Sequence, residues 1–239
     1  GKLLGNWDRD LLDGSSRNEF VGGSAQLRDG TLLMQIMHSP NQENPQPGAS
    51  HGMATWGTGL YQGYCSRSED NGLTWSEPVP MDTATHMLGD EPESPCGDLT
   101  ESTFGELPGG RIVMLARPVR SATMWQTHSD DGGRSWSLAC RAPFSGAGGP
   151  NMVATQSGYL AIIKRGPGLG LHTSIDGGLN WDEGTMIDFN TSYNGGLVEV
   201  EPDVLLVSTP SAIDEIRPAP ARTYRVRITP DGPIPADAD

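Results

Sequence analysis

Cysteine is scarce: Cys65, Cys96 and Cys140 are the only three in 239 residues. Three thiols cannot build a disulfide framework, and an odd number leaves at least one unpaired. Cys65 stands in a strand-like run, so its expected role is packing. No run of 18 apolar residues occurs, which excludes an ordinary membrane-spanning helix, and no stretch reads as a signal peptide. The chain opens Gly1-Lys2-Leu3 without Met and reads as a mature form or a fragment, so the compartment stays open. Basic residues are in short supply, 16 against 30 acidic, for a net charge of −14. That balance argues against nucleic acid or an anionic membrane as partner. It is compatible with an extracellular or periplasmic enzyme. Against such a background an anionic substrate needs a local basic cluster, so arginines near a pocket carry information.

Turn formers are abundant: 32 Gly and 19 Pro make up about a fifth of the chain, where ordinary usage is about 12%. Disorder would explain the excess, but the apolar runs are regularly spaced and six Trp are present. A turn-rich all-β protein fits better. The turns also repeat. Ser129-Asp130-Asp131-Gly132-Gly133-Arg134-Ser135-Trp136 has near copies at Ser68–Trp75 and Ser174–Trp181, all of the form Ser-x-Asp-x-Gly-x-x-Trp. Asp accepts from backbone amides two residues on, Gly supplies positive φ, and Ser adds a short-range acceptor. The Trp is expected to fold back under the turn with its N–H paired, giving each hairpin a small core of its own. A calcium loop is the alternative for Asp70, Asp130, Asp131 and Asp176, but it needs about six oxygen ligands with a bidentate Glu at position 12, which is missing. No metal or other cofactor is expected.

The octapeptide resembles the Asp-box of the sialidase superfamily, the bacterial neuraminidase (BNR) repeat. The resemblance implies a β-propeller, six-bladed in relatives, with Asp-boxes between the third and fourth strands of a blade. Strand–turn–strand phrases at Ser24–Met37, Phe104–Arg117, Met152–Arg165 and Leu197–Ser208 support this reading. Short strands at such spacing, at about 40–50 residues per blade, suit a propeller. One sialidase-like domain over 1–239 is therefore expected: a blade remnant at 1–17, repeat units at about 18–85, 86–145, 146–188 and 189–232, and a loose tail at 233–239. About four blades are recognisable, and the chain reads as N-terminally truncated.

In that frame the Asp-Gly turns and the octapeptides share one face, and the other face carries variable loops where sites are expected. There Glu101 precedes the first strand of the second unit, and Arg117 and Arg165 end second strands at the same offset from Gly110 and Gly158. A lone loop arginine is ordinarily a solvated charge, but a solvated charge has no reason to keep register. Tyr193 leads into the fourth unit; it could equally be an ordinary half-buried tyrosine. His38 ends the first such strand, before an insertion with His51, Trp56 and Tyr61; both histidines also suit plain loop positions.

In sialidases a strand pair reads Asn-Glu, Glu-Leu-x-Asp-Gly, an apolar strand and an Arg, then an Asp-box. Glu101, Glu106-Leu107-Pro108-Gly109-Gly110, Ile112–Leu115, Arg117 and the box at Ser129 match in order and spacing. By resemblance Glu101 activates a tyrosine nucleophile, here Tyr193, and Arg117 holds the substrate carboxylate. Arg165, Arg217, Arg222 and His38 are further substrate-binding candidates. A tyrosine nucleophile avoids the repulsion a carboxylate would feel from an anionic sugar. With a pKa near 10 it needs a base. The chain departs from the family in placing Tyr193 before Arg217 and Arg222, in Thr100 for the usual Asn, and in an insertion without Asp, leaving Asp90 and Asp98 as acid candidates. The implied function is an exo-glycosidase of sialidase type acting on a terminal acidic sugar. A non-catalytic carbohydrate- or protein-binding propeller, or another glycosidase or lyase on this scaffold, are the alternatives.

Overall fold

The computed structural model describes residues 19–38, 62–81, 87–88, 91–92, 99–118, 122–145, 148–166, 168–189, 194–209, 212–214, 217–218 and 221–236. Among them there is no helix. Four four-stranded antiparallel sheets follow one another along the chain. The first holds β1 (Glu19–Gln26), β2 (Leu32–His38), β3 (Gln62–Ser68) and β4 (Val79–Pro80). A hairpin of β5 (Met87–Leu88) and β6 (Glu91–Pro92) intervenes. The second sheet holds β7 (Ser102–Glu106), β8 (Ile112–Ala116), β9 (Thr123–Ser129) and β10 (Cys140–Ser145). The third holds β11 (Asn151–Ala154), β12 (Leu160–Gly166), β13 (Gly168–Ser174) and β14 (Thr185–Asp188). The fourth holds β15 (Gly196–Glu201), β16 (Val204–Thr209), β19 (Arg222–Thr229) and β20 (Gly232–Pro235). Between β16 and β19 lies a second hairpin, β17 (Ala212–Asp214) with β18 (Arg217–Pro218).

Each sheet is a meander, and the first strands touch in series: β1 against β7, β7 against β11, β11 against β15. They form the inner wall of a fan of blades. Strand β20 corrects one expectation. The tail foreseen from residue 233 is instead the fourth strand of the last blade through Pro235, paired with β19. Residues 1–17, the 39–61 insertion, Asp90, Cys96, Asp98 and Tyr193 lie outside the described residues.

The hydrophobic cores lie between blades, and the apolar second strands are the reason. In β8 every side chain is buried: Ile112, Met114 and Ala116 face the first blade, with Leu33, Cys65 and Trp136. Val113 and Leu115 face the third blade, with Phe144, Leu160 and Ile162. In β12, Ala161 and Ile163 turn to the fourth blade and meet Leu205, Val207, Val226 and Ile228. A strand buried on both faces reads as a continuous apolar run without alternation. Cys65 is fully buried in the first of these cores, and burial pushes its thiol up to about 12, which leaves it inert as a nucleophile.

The three octapeptides make the same bonds. In each, the Ser hydroxyl donates to the Asp Oδ1 (2.8, 2.8 and 2.9 Å) and accepts the Gly amide four residues on (2.8, 2.8 and 2.9 Å). The Asp carboxylate then takes the amide and side chain of Thr74, Ser135 or Asn180. Two successive residues are left-handed in every copy: Asn71 with Gly72, Gly132 with Gly133, Gly177 with Gly178. Asn is the side chain that best tolerates this region where Gly is absent.

The tryptophans correct a second expectation. Trp136 and Trp181 are not private cores under their own turns, whereas Trp75 stays beside its own Gly72. Trp136 packs into the core between the first two blades, 5.9 Å from Phe104 between ring centroids. Trp181 packs against the second blade and stands edge-on to Phe144 at 5.4 Å. Its N–H donates to Gln126 Oε1 (2.9 Å), while Gln126 Nε2 donates to the Gly178 carbonyl (2.7 Å). Arg67 makes the matching tie to the Gly132 carbonyl (2.6 Å). Each of these octapeptides is a latch onto the third strand of the preceding blade. The N–H of Trp136 is directed at the Cys65 sulfur in the same core.

Candidate functional site

Strand register fixes the two ends of each blade. Ser129 pairs with Ile112 beside the 107–111 turn, whereas Trp125 pairs with Ala116 at the far end. The octapeptides therefore share one face with the strand-1 to strand-2 turns, and Glu101 and Arg117 stand on the other.

There the pairing of β7 with β8 runs one step past the strands. Arg117 N donates to the Glu101 carbonyl (2.8 Å), and Thr100 places both its amide and its hydroxyl on the Arg117 carbonyl (3.1 and 2.7 Å). This locks Glu101 opposite Arg117. Arg117 Nη1 donates to Glu101 Oε1 (3.1 Å) and Oε2 (3.2 Å), with both side chains half-buried. The Gly149 amide, at the start of the next blade, donates to Glu101 Oε2 (3.1 Å). Three charge-assisted contacts hold the carboxylate in one orientation.

Glu101 lines a cavity of about 290 Å³ with Gly22, Ser102, Gly149, Asn151 and Asn194. These come from the first strands, or the turns leading into them, of all four blades, so the cavity lies on the fan's inner wall. Ser102 Oγ is buried and has no hydrogen-bond partner among the described residues. Arg165 lies alongside: a Cβ on Gly148 would overlap its Nε. A Cβ on Gly149 would overlap the Asn194 amide, and one on Gly23 the Ser102 carbonyl. Paired glycines lead into the first strands at Gly148-Gly149 and Gly195-Gly196 and interrupt β1 at Gly22-Gly23, where the register shifts, and the second blade has Glu101-Ser102 instead.

The structure thus brings Glu101, Arg117 and Arg165 to one region. Asn194, Gly149 and Ser102 join them and were not singled out from the sequence. The recurring Gly-Gly was the signal for them: close backbone approach demands glycine where strands converge. Tyr193 is outside the described residues, though its chain neighbour Asn194 lines the cavity. His38 ends β2 and Arg217 opens β18; their side chains are not described. Arg222 belongs to another cluster. Its Nη1 donates to both oxygens of Asp188 (3.1 Å each), which also accepts from Tyr224 Oη (3.0 Å) and Thr209 Oγ1 (3.2 Å). Asp188 is 3% exposed, and this clasp ties β14 to the last blade.

The four-sheet fan with its inner cavity is a β-propeller-type fold of the sialidase kind, and solved structures bear this out. The chain aligns with the Hadza microbial sialidase Hz136 at a TM-score of 0.62 and 18% identity, over 88% of this chain and 44% of that one. It aligns with the NanB sialidase from Streptococcus pneumoniae at 0.57 and 13%, over 88% and 49%. A protein of unknown function from Dyadobacter fermentans aligns at 0.60 and 17%, over 85% and 59%. The chain spans about half the length of these neighbours. No family model matches the chain, and no curated protein matches its sequence. The scaffold is one on which sialidases and related glycosidases are built.

Proposed function

We propose that the protein is a glycosidase of sialidase type that cleaves a terminal acidic sugar, and that its octapeptides are Asp-boxes. The observation that carries this reading is the oriented Glu101 carboxylate, fixed by Arg117 and the Gly149 amide at the mouth of the inner cavity, with Arg165 beside it. In the proposed reaction the Tyr193 oxygen attacks the anomeric carbon. Its proton passes to Glu101 as the glycosidic bond breaks and the leaving oxygen takes a proton from solvent. Water then attacks the anomeric carbon and gives a proton to Glu101 as the freed tyrosine oxygen recovers its own from there, and Glu101 returns the remaining proton to solvent. Arg117 and Arg165 clamp the sugar carboxylate, an arrangement suited to bidentate guanidinium bonds. Arg222, engaged by Asp188, stands outside the clamp. The structural neighbours include two proteins named as sialidases, which supports the substrate class.

A carbohydrate-binding propeller without turnover is the second reading. One observation favours it: Arg117 already neutralises Glu101, the residue that must accept a proton. Assays with a fluorogenic sialoside separate the two. Turnover by the native protein, abolished by Glu101→Gln and by Arg117→Ala with the fold intact by circular dichroism, supports the enzyme. Sialoside binding without turnover selects the second reading, and undiminished turnover by Arg117→Ala removes the clamp.

A further inference from the structure

A second polar cavity, of about 200 Å³, is lined by residues of the third blade and shares no lining residue with the Glu101 cavity. Its floor is laid by β12 and β13, where Lys164 pairs with Gly170 and Gly166 with Gly168. Its wall includes His172, Gly184 and Met186, with Glu183 at the exposed rim. It is smaller than the roughly 300–1,000 Å³ of sites for drug-sized ligands.

Two buried groups face this space. Lys164 is 8% exposed, and its one hydrogen bond among the described residues runs from Nζ to Ser145 Oγ (3.2 Å). No carboxylate of the described residues pairs with it. A buried charge without a counter-charge is costly. His172, also 8% exposed, stacks on Phe144 with ring centroids 4.5 Å apart. Its Nδ1–H donates to the Asp182 carbonyl (3.4 Å). That leaves Nε2, unbonded among the described residues, as an acceptor toward Gly170, the residue opposite Lys164. Burial, aided by the Lys164 charge, lowers the His172 pKa against the pull of the Asp182 carbonyl and of the Asp182 carboxylate, whose Oδ1 lies 3.7 Å from Nδ1.

Of the floor glycines, Gly168 is demanded by the backbone, with φ +128° and the Asp188 carbonyl in the path of a Cβ, but the other two are not. Gly166 and Gly170 are outside the positive-φ region. A Cβ on Gly166 would meet nothing within 4 Å, and one on Gly170 only His172 Nε2 at 4.0 Å. Side chains would fit there, and they would fill the cavity.

We propose that this cleft binds a small hydroxycarboxylate monoanion, its carboxylate on the Lys164 ammonium and its hydroxyl donating to His172 Nε2. Among the described residues Lys164 is the one ammonium or guanidinium group lining the cleft, with the Asp182 carboxylate 3.7 Å from His172 Nδ1 and Glu183 at the rim, so a single negative charge is the most it can balance. A dianion would leave excess charge next to Glu183 in a chain of net −14.

Calorimetric titration of the whole chain at constant ionic strength, with lactate, acetate and inorganic phosphate as probes, tests this. Lactate is expected to bind saturably at one site and more tightly than acetate. Lys164→Met should weaken lactate about ten- to hundredfold, the loss of a charge-assisted hydrogen bond. His172→Leu should erase the preference for lactate over acetate. Gly170→Val keeps the lysine and fills the floor, and should also abolish binding, so a folding defect in any one variant does not decide the matter. The proposal is overturned by absence of lactate binding, by equal binding to Lys164→Met or Gly170→Val, or by phosphate binding more tightly than lactate.

Discussion

At the scale of single residues, glycine and arginine act together. Gly148 has φ +60°, a conformation costly for any side chain, and a Cβ there would strike Arg165. Gly148→Ala should therefore do two separable things. Left-handed strain of about 1–2 kcal/mol should lower Tm by a few degrees, at roughly 2–4 °C per kcal/mol for a chain of this size. Displacement of Arg165 should raise the KM for a sialoside more than it lowers kcat. An unchanged KM alongside the lowered Tm would remove Arg165 from the clamp. The pairing of Glu101 with Arg117 was legible as a spacing of 16 residues on either side of a hairpin. The Gly149 amide, which reaches the carboxylate, and Asn194, which lines the cavity, were not, because they come from other blades.

At the scale of the element, the octapeptide turns link stability to pH. Hydrogen bonds from the Thr74 side chain and amide and from Ser68 hold the Asp70 carboxyl at about 2, against an ordinary 3.8. For Asp131 burial works to raise the value, but bonds from Ser135, Ser129 and the Arg134 amide outweigh it, and it too lies at about 2. Asp176 is lowered in the same way, its burial overcome by bonds from Asn180 and Ser174. A depressed folded-state value means that the stabilisation is complete above the unfolded value and is lost as pH falls through the folded one. The urea midpoint should therefore drop between about pH 4 and about pH 2. In the double variant Asp70→Asn, Asp131→Asn that drop should be shallower. A double variant with the native slope would show that these turns do not carry the acid sensitivity.

At the scale of the whole molecule, the cores belong to pairs of blades. Leu115 is fully buried between the second and third. Its replacement by Ala should cost about 2–5 kcal/mol, seen as a lower urea midpoint. Because the lost contacts are shared, amide exchange should accelerate in β8 and β12 together, as expected where each repeat is stabilised by its neighbours. Acceleration confined to β8 would contradict a shared core.

The strand content, the turns and their polarity, and the candidate pair Glu101 and Arg117 were all determined by the sequence alone. They depend on local chemistry: left-handed glycines after an Asp, apolar runs of strand length, and fixed offsets along a hairpin. The tertiary structure alone decided what Trp136 and Trp181 touch, why Arg222 belongs to Asp188, and where Lys164 meets His172. Those outcomes depend on how one blade leans on the next. Contacts between sheets join residues far apart in the chain, and no periodicity within either segment encodes which side chain stands opposite.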